Sequence, residues 1–108
     1  MRVSPIDRLA FARHQALALK HFLRGRYEEA ANAASGAVLS NPSFSVSHSL
    51  LAAALVKLGR KEEAKAAARQ VLALEPSFSS SGYCAAIGIM PALAEELTAA
   101  WREAGLPP

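Results

Sequence analysis

Residues able to do chemistry are sparse in this chain. Three histidines (His14, His21 and His48), one cysteine (Cys84) and one aspartate (Asp7) stand among 108 residues. A metal centre needs ligands gathered at short helical or loop spacing, and His14 and His21 lie seven apart with no second cysteine to join them. Paired aspartates, which metal-assisted phosphoryl chemistry would require, cannot be drawn from Asp7 alone. No cation or clear helix start adjoins Cys84 to favour its thiolate, so it reads as a small buried apolar group. Gly25 and Gly59 belong to no phosphate-cradling motif. The residue inventory therefore predicts no catalytic group, no cofactor and no metal.

The elements that position these residues follow from an internal repeat. Gly25-Arg26-Tyr27-Glu28-Glu29-Ala30 returns 34 residues later as Gly59-Arg60-Lys61-Glu62-Glu63-Ala64. Laying residues 11–44 over 45–78 without a gap leaves 13 of 34 positions identical, among them His14/His48, Leu17/Leu51, Ala18/Ala52, Ala34/Ala68, Pro42/Pro76 and Phe44/Phe78. Two histidines that share a repeat position are packing or rim residues rather than ligands. A repeat of this length is one helix–turn–helix unit that stacks on its neighbour to bury an apolar face.

Local signals place the helices. Ser4 caps a first helix, with Pro5 at its first position and Asp7 facing its positive end, and this helix runs to about Arg24. Gly25 stops it, because glycine takes the left-handed closing conformation without a side-chain clash. A second helix spans Tyr27 to Ser40, with Glu28 and Glu29 in its first turn and Ala30, Ala33, Ala34, Ala37 and Val38 at helical spacing. Asn41-Pro42-Ser43 breaks the chain, and Ser43 caps a third helix from Phe44 to Leu58. A fourth runs from Lys61 to Leu74. Residues 79–90 carry two glycines and β-branched isoleucines and read as a short helix or an irregular stretch. Pro91 starts a last helix that lines Leu93, Leu97, Ala100, Trp101 and Ala104 on one face and keeps Glu95, Glu96, Arg102 and Glu103 wet. The expected fold is a single all-α domain over residues 1–108: two full helix pairs, at about 11–44 and 45–78, and a degenerate third unit, 79–108, whose terminal helix caps the stack.

Composition narrows the partners. A hydrophobic fraction of 52% is inflated by alanine and coexists with 19% charge, and Lys57, Arg60 and Pro91 interrupt the longest apolar runs, so no membrane span is expected. No apolar stretch follows Met1-Arg2-Val3, which predicts no secretory signal, and a single cysteine suits a reducing cytoplasm. The net charge of +3 arises from 12 basic and 9 acidic residues that interleave. Lys57, Lys61, Lys65 and Arg69 recur at four-residue spacing as one helix face, but Glu62 and Glu63 sit among them. A solvated face is favoured over a phosphate track, and nucleic acid is not the expected partner.

The glycine turns, Leu17/Leu51, Ala18/Ala52, Ala30/Ala64, Ala37 and Pro42/Pro76 make the chain resemble tetratricopeptide (TPR) repeat proteins. It departs from their pattern where His14 and His48 replace a large aromatic and where Ala34 and Ala68 replace another, which implies closer helix pairs. Ser4-Pro5-Ile6-Asp7, the glycine turns, Asn41-Pro42 and Ala104-Gly105-Leu106-Pro107 together resemble the C-terminal TPR segment of bacterial multidomain regulators. In those proteins the segment follows a class III adenylate/guanylate cyclase domain or a winged-helix DNA-binding domain. This narrower resemblance implies that the chain is the tail of a longer protein.

The family resemblance also implies a groove. First helices line its concave face, which here places Ala12, Gln15, Leu19, Phe22 and Leu23, then Val46, Ser49, Ala53, Val56 and Lys57 along it. The residues expected to bind protein are Gln15, Leu19, Phe22, Leu23, Ser49, Ala53, Val56 and Lys57. Chaperone-binding relatives grip a C-terminal carboxylate with lysines and asparagines, and Gln15, Leu19, Ser49 and Ala53 at those positions argue against that mode. An apolar groove suits an amphipathic helix or an extended segment of a protein or peptide partner. The last helix, the long first helix or a second copy in a homodimer are its other possible occupants. The expected function is a non-catalytic protein-interaction module. The alternative is a regulatory or dimerising tail of a nucleotide cyclase or transcription regulator.

Overall fold

The computed structural model describes the backbone of residues 8–79 and 91–107 and the side chains of 13–79 and 94–107. Ser4, Pro5, Asp7, Cys84, the stretch 80–90 and the side chains of Ala12 and Leu93 lie outside the described residues. The described elements are all helical: α1 (Arg8–Leu23), α2 (Tyr27–Ser40), α3 (Ser45–Lys57), α4 (Lys61–Leu74) and α5 (Pro91–Ala104).

Each helix pair is closed by the same device. Gly25 and Gly59 adopt φ of 76° and 79°, a region a side chain would strain. The amide of Gly25 donates to the Phe22 carbonyl and that of Arg26 to the His21 carbonyl; Gly59 and Arg60 repeat this on Val56 and Leu55. These paired bonds are the Schellman closure, which satisfies carbonyls that a helix end leaves orphaned. Arg26 and Arg60 also serve as the N-caps of α2 and α4, their carbonyls accepting from Ala30 and Ala64. The reversal is therefore as short as it can be. Arg60 then grips Glu63 with two bonds of 2.7 and 2.8 Å, which holds the exposed Glu63 carboxyl below its ordinary range.

The joint after each pair is a proline turn. Asn41 and Glu75 are extended ahead of Pro42 and Pro76, as a residue before proline must be, and Phe44 and Phe78 close the turns onto their carbonyls. The start of α3 corrects an expectation. Its N-cap is Phe44, in extended conformation and without a side-chain bond, while Ser43 donates to the Asn41 side chain at 3.1 Å inside the turn. The proline turn consumes Ser43, so the helix begins one residue later than the cap reading placed it.

The helices pack in sequence, α1 on α2, α2 on α3 and α3 on α4, while among the described elements α5 lies more against α3 than against α4. Ala30, Ala34, Ala37, Ala64, Ala67 and Ala68 are all buried at these contacts, and Trp101, Leu97 and Val71 are the largest fully enclosed side chains among the described residues. α3 is the centre of the molecule: ten of its thirteen residues are buried. The four basic residues do not form one helix face. Lys57 ends α3 and Lys61 begins α4, with the left-handed Gly59 reversing the chain between them.

Candidate functional site

The groove residues divide into an enclosed half and an open half. On α3, Ser49 and Ala53 are fully buried and Val56 nearly so. Ser49 spends its hydroxyl on the Val46 carbonyl at 2.6 Å, and its own carbonyl accepts from the Trp101 indole Nε1 at 2.8 Å. An indole N–H inside an apolar contact must find an acceptor, and this one lies on the helix it packs against. Phe78 meets the same indole edge-to-face at 5.5 Å.

On α1 the side chains are more accessible. Gln15 is half-buried and accepts from Ser47 Oγ at 3.2 Å, Leu19 is half-buried against the core, and Leu23 is 49% exposed. Phe22 is the exception, being buried and packed edge-to-face on Tyr27 at 5.4 Å. Lys57 joins the two halves. Its ammonium lies 2.9 Å from Glu96 of α5 and 5.9 Å from the centre of the Tyr27 ring. The hydrogen bond to Glu96 is the main cause that raises Lys57 above its ordinary value, so it is charged at neutral pH. Lys61 approaches Glu103 of α5 at 3.8 Å.

A cleft of about 510 Å³ opens where the end of α1 faces the start of α5, lined by Phe22, Leu23, Arg24, Gly25, Tyr27, Glu95 and Glu96. Its walls combine an exposed leucine, an aromatic edge and charges of both signs. A second cleft, about 410 Å³ and mainly apolar, runs between α3 and α4 and includes Val38, His48, Leu51 and Gln70. Neither contains a catalytic constellation. His48 is buried with Nε2 2.8 Å from the Pro42 carbonyl, a packing role, and His14 lies against Gly36. The buried Nδ1 of His21 has no partner among the described residues. No group of three metal-ligating side chains occurs among the described residues, and no described helix is long and apolar enough to cross a membrane.

Sequence reasoning did not single out Tyr27, Glu95 or Trp101 as parts of this site. Tyr27 follows the glycine turn and packs on Phe22 of α1, whereas Glu95 and Trp101 are brought to the site only by the packing of α5. Neither curated proteins nor solved structures give a match to this chain. The family model described as tetratricopeptide repeat matches residues 21–81, which takes in the first glycine turn, both proline turns and the whole of α3 and α4. With two equivalent helix pairs closed and jointed alike, and more than half its length matched, the chain belongs to the tetratricopeptide repeat family.

Proposed function

We propose that this chain is a non-catalytic protein-interaction module whose partner-facing strip is the open half of the groove: Gln15, Leu19 and Leu23 on α1, with Lys57 at its edge. TPR repeats generally mediate protein–protein interaction, and the half-exposed Leu23 at the mouth of the cleft carries this assignment. An apolar side chain held at the rim of a mixed-charge cleft gains from burial under a partner, about 25 cal/mol for each Å² covered. Phe22, Ser49, Ala53 and Val56 support that strip from below, since they are enclosed.

The test is a photo-crosslinking residue placed at Leu23 and, as a control, at the exposed Arg69 of α4. Expression in cells and immunoblotting should show one heavier adduct from position 23 and none from 69. Adducts of equal yield from both positions, or from neither, would sink the assignment. The unirradiated lane decides the second reading, in which the module is the regulatory or dimerising tail of a nucleotide cyclase or transcription regulator in the bacterial cytoplasm. That reading is supported by the resemblance at Ser4-Pro5-Ile6-Asp7 and Ala104-Gly105-Leu106-Pro107. It requires the native polypeptide in its source cells to run far above 11.4 kDa.

A further inference from the structure

The α3 half of the expected groove already carries a helix. Ser49, Ala53, Val56 and Lys57 form one stripe along α3, and α5 is bonded to both ends of it, through Trp101 at the Ser49 carbonyl and Glu96 at Lys57. α5 therefore runs antiparallel to α3, and among the described elements it packs more on α3 than on α4, the described helix that precedes it. Its buried face is Leu97, Ala100, Trp101 and Ala104, and its edge is acidic where Glu96 and Glu103 meet Lys57 and Lys61.

We propose that α5 is an internal ligand of the groove, and that the partner is an amphipathic helix of the same chemistry that takes its seat. Such a helix carries a donor-bearing aromatic in a leucine–alanine face and carboxylates along one edge. This rests on the reading of the chain as a protein-binding module and extends its surface from the open α1 strip to the α3 stripe that α5 covers. Exchange of like for like restores the same apolar burial, the same indole bond and both ion pairs. Only covalent tethering favours the internal helix, by an effective concentration on the order of millimolar. Leu23 shares its cleft with Glu95 and Glu96, so a helix longer than α5 seated there would also cover Leu23.

The experiment uses the full chain with Glu96→Lys and Glu103→Lys, two exposed positions whose change leaves the apolar face of α5 intact. The probe is a fluorescent peptide of residues 91–107 with its natural charges, followed by anisotropy. The peptide should bind the altered chain about tenfold more tightly than the unaltered one, because two exposed ion pairs have become like-charge contacts. Adding Lys57→Glu and Lys61→Glu re-pairs the internal helix and repels the peptide, so binding should fall back. Three results overturn the proposal: no peptide binding to an altered chain that keeps its helical circular-dichroism signal, binding indifferent to the charge swap, or an altered chain that no longer folds. Concentration-dependent dimerisation of the altered chain, competed by the peptide, would also overturn a foreign partner in favour of a second copy. A Leu23 cross-link that persists when the peptide fails would mean that the surface binds without displacing α5, leaving the broader reading intact.

Discussion

Gly36 decides how closely the first helix pair closes. A β-carbon built there would stand 2.8 Å from His14 Nδ1 and 2.9 Å from Cε1, closer than real contacts allow. Two effects of opposite sign then compete in Gly36→Ala. Alanine gains about 1 kcal/mol of helix propensity over glycine, and the displaced imidazole costs ~1–3 kcal/mol of overpacking. We expect net destabilisation in the native background and a reversal of sign in His14→Ala, where the obstacle is gone. Denaturant midpoints of the four proteins in that double-mutant cycle measure it, and additivity of the two changes would show that the ring simply moves aside. Half of this was legible in the sequence. The departure at His14 and His48 is plain from the repeat, but the same residue meets two environments, because position 36 is glycine and its counterpart 70 is glutamine. His48 is buried and bonded to the Pro42 carbonyl instead. Residue identity repeats every 34 positions while the neighbours that define its role do not.

Helix ends were the most readable elements, since each is fixed by a local signal. α2 and α4 begin and end as expected because a glycine closure stands before each and a proline turn after it. At Gly59 nothing lies within 4 Å of a built β-carbon, so the cost of a side chain there is purely that of its backbone conformation, φ 79°. Gly59→Ala should therefore destabilise by about 1 kcal/mol. D-Alanine at the same position, introduced by chemical synthesis, should match or exceed the natural chain, because positive φ is its ordinary region. Equal losses from both enantiomers would show that sterics, not the dihedral angle, govern the site. Where a local signal competed with another, reading failed. Ser43 has the side chain of a helix cap, but the turn Asn41–Phe44 claims it first. Lys57 and Lys61 have helical spacing, but the closure at Gly59 falls between them.

At the scale of the molecule, the amphipathic pattern of α5 was legible, and its seat stood only as one of several possible occupants of the groove. Periodicity states which face of a helix is buried; it does not state against what. The seat depends on a donor and an acceptor 52 residues apart, the Trp101 indole and the Ser49 carbonyl, and on two lysines placed to meet its acidic edge. The resulting arrangement is unequal. Among the described elements, α3 is enclosed by α2, α4 and α5, whereas α5 rests chiefly on α3. Such a helix should open without unfolding the rest, and native-state hydrogen exchange can separate the two events. Ala34→Gly, in the fully buried centre of α2, removes a packed methyl and lowers helix propensity, together about 1–2 kcal/mol. Amides of α3 that exchange only through global unfolding should then lose roughly tenfold protection. Amides of α5 should keep theirs, because α2 is folded in both its closed and its open state and the substitution cancels between them. A loss in α5 that matches α3 would make the chain one cooperative unit, and a groove whose occupant can leave only when the fold does could not be a site of exchange.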